Sequence, residues 1–289
     1  MPRPSTGLVP ELPEVETVRR AIAPVLEGAR LEAVEIRDPR LTRPFDPSIV
    51  AHELVGERVA EVGRRGKYLI VRFDSGRSLL IHLRMTGSLR HASHGAPAED
   101  DPHTRAVLIL DNGSDVTYRD VRRFGTWDLL EAVDVQPYID ARLGPEPLGP
   151  LTARALGARL AGRRAPLKSA LLDQRTVAGL GNIYADEALW YAQLHPLRSA
   201  GSLDTDELAR LHRSIRRVLR KGIERQGSTL STYALPDGSS GSMQEEFRAY
   251  GRGGEPCDRC GTPLERIVVG GRATTFCPHC QPSRPPGGT

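Results

Sequence analysis

Cysteine is scarce in this chain. There are four in 289 residues, and all lie between Cys257 and Cys280. A secreted protein built on disulfides would spread them out, so the pattern argues for a reducing cytoplasm and a single metal site. Long apolar runs are missing too. No stretch approaches the ~18 residues of a membrane span, and residues 1–9 lack the apolar centre of a signal peptide. There is no internal repeat. What remains is an ordinary globular composition: 39% hydrophobic residues and a formal net charge of +4, with a pI near 9.0 and a mean hydropathy of −0.36. A basic balance suits a polyanionic partner without proving one. The length predicts two domains, each with its own core.

Periodicity divides the chain. Residues 10–135 carry one helical pattern, in which Val15, Val18, Ile22, Val25 and Leu26 share a face. Strand-like runs follow: Leu31–Arg37, Tyr68–Phe73, Ser78–Leu83, Ala106–Leu110, Val116–Tyr118 and Trp127–Leu130, separated by turn residues. This reads as an antiparallel β-sandwich with flanking helices. His91–Asp101 is polar and reads as a flexible hairpin tip. Residues 136–150 hold Pro137, Gly144, Pro145, Pro147, Gly149 and Pro150 and read as a hinge linker. Helical patterns dominate residues 151–246, with candidates at Thr152–Leu160, Leu167–Gln174, Ile183–Trp190 and Asp204–Arg225. Within that span, residues 228–246 read as a mobile loop. Residues 247–281 contain the cysteines, and 282–289 read as a disordered tail. The fold class is therefore α+β and multidomain.

The cysteines form two C-x-x-C knuckles, Cys257/Cys260 and Cys277/Cys280, sixteen residues apart. Four soft thiolates at this spacing predict a zinc ribbon, with one structural Zn2+ in a closed tetrahedral shell. Four cysteines complete that shell, so His279 is expected to be solvated. Ile267–Arg272 reads as a hairpin turning at Gly270 and Gly271.

The run from Pro10 to Arg20 (PELPEVETVRR) also has two readings. It is the acidic start of an amphipathic helix, where the macrodipole favours carboxylates. Alternatively, Pro10 is a nucleophile. Val9 precedes it, and a GUG codon can start bacterial translation. If translation starts there and the initiator is removed, residues 1–9 are lost and Pro10 becomes a free secondary amine beside Glu11. Such an amine can form an iminium ion with a masked aldehyde.

PELPEVET resembles the mature N-terminus of the bacterial formamidopyrimidine-DNA glycosylases. Further motifs carry the same resemblance: HLRMTG at 82–87, DVRRFG at 120–125, LLDQRTVAGLGNIYADE at 171–187 and GRATTFC-x-x-CQ at 271–281. Arg84, Thr86 and Val121 depart from the family's H-L-G-M-S-G and D-P-R-R-F-G. The resemblance spans residues 10–281. It implies a β-sandwich catalytic domain, a helix–two-turn–helix DNA-binding domain and a zinc finger. The implied activity is excision of oxidised purines from damaged double-stranded DNA by a monomer, followed by β,δ-elimination of the strand. By resemblance, Pro10, Glu11 and Lys67 are catalytic, Lys67 by holding phosphate near the scission point. Met85, Arg122 and Phe124 enter the duplex. Asn182 and Arg272 bind phosphate, and Lys168 lies near the lesion. Read without the family, Met85 and Phe124 suit core packing, while Lys67, Lys168 and Arg272 suit surface charge. An endonuclease-VIII-like glycosylase for oxidised pyrimidines is the enzymatic alternative. A non-catalytic damage binder is the other, if Pro10 stays internal.

Overall fold

The structure is a computed structural model and describes residues 9–93, 101–229, 236 and 238–283. Most of the expected extension, most of the hairpin tip, part of the 228–246 loop and most of the tail therefore lie outside the described residues. Among the described residues, no helix is long and apolar enough to cross a membrane.

The chain forms two compact units, one of residues 1–141 with 225–242 and one of residues 142–224 with 243–289. In the first, α1 (Leu12–Leu26) starts at a capping box. The Glu14 carboxylate accepts the Glu11 backbone N–H at 3.0 Å and the Ser228 N–H at 2.9 Å. That second bond ties Ser228 to the first unit, although its sequence position suggests the helical domain. Val15, Val18, Ile22 and Leu26 of α1 are buried in the core as expected, whereas Val25 is only partly covered.

The strands are β1 (Leu31–Ile36), β2 (Val59–Arg65), β3 (Tyr68–Phe73), β4 (Ser78–His82), β5 (Gly87–Ser93), β6 (Thr104–Leu110), β7 (Ser114–Asp120) and β8 (Thr126–Leu130). They make two four-stranded sheets, ordered β1-β6-β7-β5 and β2-β3-β4-β8. Every pairing is antiparallel. Val62, Leu69, Val71, Leu79, Ile81 and Trp127 of one sheet share a buried core with Leu89, Leu108, Val116 and Tyr118 of the other. Two helices escape the sequence reading, α2 (Pro47–Leu54) and α3 (Ala132–Asp140). The second occupies the start of the expected linker. Its Tyr138 hydroxyl donates to Asp128 on β8 at 3.0 Å, so this stretch is packed structure despite Pro137.

The second unit holds α4 (Ala153–Leu160), α5 (Leu167–Leu172), α6 (Asn182–Ala192), α7 (Thr205–Glu224) and the hairpin β9 (Glu265–Val269)–β10 (Arg272–Phe276). The hairpin turns at Gly270 and Gly271, with φ +57° and +74°. Such a tight turn favours two residues that take positive φ easily. The cysteine module rests on the helices. Trp190 of α6 packs with Cys257, Leu264 and Cys277, and Gln281 joins the Cys277 N–H to the Leu194 carbonyl, each at 2.9 Å.

Candidate DNA-processing site

In the first unit, strand register assembles the central loops. His82 ends β4 opposite Thr126 at the start of β8. Gly87 starts β5 opposite Asp120 at the end of β7. Residues 83–86 and 121–125 therefore cross between the sheets side by side, in opposite directions. Asp120 ties them together. Its carboxylate accepts the Thr86 hydroxyl, the Arg122 N–H at 3.2 Å and the Gly125 N–H at 2.8 Å. Thr86 also accepts the Arg122 N–H at 3.0 Å. Threonine thus keeps the hydroxyl that the family's serine would supply. Gly125 has no substitute, because a Cβ there would meet the Tyr118 hydroxyl oxygen at 1.7 Å.

The tips of these loops face outward. Phe124 is 50% exposed, with the Arg122 guanidinium 4.8 Å from its ring centroid. Met85 is half-buried. Core packing therefore does not account for Phe124. An exposed ring stacked by a cation is suited to replacing a lost base–base stack.

Pro10 and Glu11 are buried at the start of α1, which packs against β2, β3 and β5. Lys67 occupies the β2–β3 turn and is half-buried. Arg64, three residues before Lys67, is paired with Glu16 at 3.1 Å. Burial would raise the Glu16 carboxyl, but hydrogen bonds from Arg19 and Arg20 and the charge of Arg64 outweigh it and hold it at about 2. His82 stacks edge-on to Tyr68 at 4.7 Å. Burial above all, then the charges of Arg84 and Lys67, push its imidazole down to about 3, so it is neutral at physiological pH.

In the second unit, Asn182 and Arg272 meet around β10. Asn182 is the first residue of α6, and the N-cap position belongs to Gly181. Its side-chain amide donates to the Ala273 carbonyl at 3.1 Å, beside exposed Arg272. A phosphate at the N-terminus of this helix would meet a favourable dipole.

Lys168 requires a correction, because it is not a surface lysine. It is 0% exposed. Its Nζ lies 2.6 Å from Asp186 and donates to the Thr274 hydroxyl at 2.8 Å and the Ala273 carbonyl at 3.0 Å. Asp186 also accepts the Thr275 N–H at 3.1 Å. Burial pushes the Asp186 carboxyl up to about 7, against the pull of Lys168. Lys168 is therefore a positioning residue that fastens β10 to α6.

Glu187 escapes sequence reasoning entirely. It is 0% exposed and accepts the backbone N–H groups of Arg248, Ala249 and Tyr250 at 2.8–3.1 Å. Two adjacent acids, Asp186 and Glu187, inside an otherwise apolar helix were the available signal.

The four cysteine sulfurs lie within 4.8 Å of one another, and Cys260 and Cys277 approach to 3.5 Å. Tetrahedral zinc with Zn–S bonds of about 2.3 Å sets its sulfurs about 3.8 Å apart. The residues therefore fit one structural zinc, bound by Cys257, Cys260, Cys277 and Cys280. His279 is exposed, outside this set.

Comparison with known proteins agrees with these features. Three family models match in order: the formamidopyrimidine-DNA glycosylase N-terminal domain over residues 9–127, the formamidopyrimidine-DNA glycosylase H2TH domain over 143–234 and the zinc finger found in FPG and IleRS over 254–282. A formamidopyrimidine-DNA glycosylase of Herpetosiphon aurantiacus is 46% identical, covering 94% of this chain and 100% of its own. One from Symbiobacterium thermophilum is 48% identical, covering 95% of this chain and 90% of its own. Among solved structures, a Lactococcus lactis FPG mutant in complex with Fapy-dG-containing DNA superposes with a TM-score of 0.88 at 39% identity, covering 94% of this chain and all of that one. The Lactococcus lactis enzyme with abasic-site DNA gives a TM-score of 0.87, also at 39% identity, over 94% and 99%.

Proposed function

Since the chain belongs to the formamidopyrimidine-DNA glycosylase family, we propose that it initiates base-excision repair through Pro10, as a bifunctional DNA glycosylase and abasic-site lyase. The enzyme is a DNA glycosylase, and its substrate is damaged double-stranded DNA. It removes oxidised purines such as 8-oxoguanine and ring-opened formamidopyrimidines. It works as a monomer in the cytoplasm, on the nucleoid. The observation that carries this reading is the pair of Asp120-linked loops, which present exposed Phe124 with Arg122 stacked on it.

The reaction begins with base extrusion, which costs a few kcal/mol of stacking and pairing. Met85 and Phe124 fill the vacated space, and Arg122 hydrogen-bonds the orphaned partner base. Lys67, Asn182 and Arg272 hold phosphates. The Pro10 nitrogen attacks the anomeric carbon, and the glycosidic bond breaks with its electron pair leaving on the base. Glu11 protonates the sugar ring oxygen and helps the ring open. The resulting iminium ion carries a fixed positive charge, because the amine is secondary. It acidifies the adjacent sugar proton. Successive β- and δ-elimination then expel the 3′ and 5′ phosphates, and water releases the sugar fragment from Pro10. An α-amino group titrates near ~7.7–8.0, so an appreciable fraction is free base at neutral pH. The reading requires that the mature chain begin at Pro10. When bound, zinc organises the ribbon and takes no part in these steps.

A second reading concerns the lesion. One related Lactococcus lactis structure holds an oxidised pyrimidine in its DNA, so excision of oxidised pyrimidines is the alternative specificity. The test combines borohydride trapping with mass spectrometry of the native N-terminus. Protein beginning at Pro10 should become covalently fixed to 8-oxoguanine DNA. Efficient trapping by a chain that retains residues 1–9 would remove Pro10 from the mechanism. Excision assays on separate purine and pyrimidine lesions decide the specificity.

A further inference from the structure

Two arginines in the outward-facing loops have left-handed backbone, Arg84 at φ +53° and Arg123 at φ +59°. Outside glycine this conformation is uncommon and unfavourable, and it persists where surrounding interactions or function require it. Arg123 has an evident reason. Its guanidinium grips buried Asp38 with two hydrogen bonds, at 2.6 and 2.7 Å, and chiefly through them holds the Asp38 carboxyl below its ordinary range.

Arg84 has no equivalent. Its backbone N–H donates to His82 Nδ1 at 3.0 Å. Its side chain is exposed, and among the described residues the guanidinium has no hydrogen bond or ion pair. In the motif that this loop resembles, glycine occupies the position, and glycine holds such a φ without penalty. The chain therefore carries a long cation where the backbone alone favours glycine. Among the described residues no hydrogen bond or ion pair of the Arg84 side chain offsets the cost, and the next residue is Met85.

We propose that Arg84 is a DNA-contacting residue whose guanidinium binds an acceptor on the duplex beside the extruded nucleotide. This rests on the reading of Met85, Arg122 and Phe124 as inserted side chains. The acceptor is a backbone phosphate oxygen or the edge of an exposed base. Both suit a guanidinium, and they separate by salt dependence and by opposite-base preference.

The experiment uses full-length zinc-loaded protein carrying Arg84→Gly, Arg84→Ala or Arg84→Lys. Met85→Ala and Phe124→Ala are measured in parallel. Affinity for a duplex containing a tetrahydrofuran abasic analogue is titrated against salt, with each of the four bases opposite, and thermal midpoints are recorded. Arg84→Gly and Arg84→Ala should each bind roughly tenfold more weakly, the loss of one charge-assisted hydrogen bond. A phosphate contact lowers the salt slope by about one unit, and Arg84→Lys retains it. A base contact instead flattens the opposite-base preference. Arg84→Gly should melt no lower than the wild type, because glycine relieves the backbone. The proposal is overturned if Arg84→Gly binds and discriminates like the wild type. It is equally overturned if that variant melts lower and loses binding only in proportion. If Met85→Ala and Phe124→Ala are also silent, the insertion reading itself fails. If they weaken binding while Arg84→Gly does not, only the assignment of Arg84 fails.

Discussion

Replacing Lys168 with methionine separates a positioning role from a DNA contact. Methionine keeps an unbranched stem of similar length, so little cavity forms. The loss is the ammonium group, with its contacts to Asp186 at 2.6 Å, the Thr274 hydroxyl at 2.8 Å and the Ala273 carbonyl at 3.0 Å. The Ala273 carbonyl still receives the Asn182 amide, and Asp186 still accepts the Thr275 N–H. The cost therefore lies mainly in a buried carboxylate left without its cation. Removing one partner of a buried pair typically costs about 3–5 kcal/mol. Asp186, already pushed up to about 7 by burial, can take up a proton and limit the damage. The expectation for Lys168→Met is thus the low end, about 3 kcal/mol. Asp186→Asn strands the cation and should cost a similar amount. The double variant leaves no charge behind and should cost at least ~2 kcal/mol less than the sum of the singles. Urea unfolding of the zinc-loaded protein measures all three. Zinc release to a chromogenic chelator should be faster in both single variants, because the pair fastens the ribbon hairpin to α6. If Lys168→Met unfolds like the wild type but lowers the salt slope of DNA binding by about one unit, Lys168 is a phosphate contact and the argument is wrong.

Other outcomes follow from the same structure. Cys277→Ser should lose zinc and DNA affinity together, and native protein should carry about one zinc per chain by metal analysis; active protein without metal would refute the assignment. Arg272→Ala should lower the salt slope of binding by about one unit, while Phe124→Ala should slow excision without changing it. The reverse pattern, in binding titrations and single-turnover excision, would exchange their roles. His82 titrates at about 3 in the folded chain, against an ordinary value of 6.5. A depressed value means that the unfolded chain takes up the proton first. The stabilisation is complete above pH 6.5 and is lost as pH falls towards 3, at up to about 1.4 kcal/mol per pH unit. His82→Gln should flatten that part of the stability profile in urea titrations between pH 7 and 5; an unchanged slope would show that the imidazole is not held neutral.

How much of this was legible in the sequence depended on the scale of the signal. The cysteine knuckles and the Gly270-Gly271 turn could be read locally, because ligand chemistry and positive φ are properties of a few adjacent residues. The first helix and most strands could be read because their apolar periodicity survives in the chain. β2 and β5 did not announce themselves. A register shift between Val59 and Glu61 breaks the alternation in β2, and β5 (GSLRHAS) is polar along most of its length. α2 could have been found, since Asp46 precedes Pro47 and its carboxylate accepts the Ser48 N–H, a cap signal that a search for apolar faces passes over.

Lys168 shows a deeper limit. A lysine in a run such as PLKSALLDQ has no local mark of burial. Its environment is made by Ala273 and Thr274, more than a hundred positions away, and by Asp186 on another helix. The same holds for Asp120, whose value lies in joining two loops that meet only after the strands have paired. Arg122 and Phe124 can be read as candidates from a motif, but what presents them is the carboxylate two residues before Arg122, held by the Thr86 hydroxyl and the Gly125 N–H. A motif names the residues that meet the DNA. The groups that hold them in place are distributed along the chain, so folding has to be known before they can be recognised.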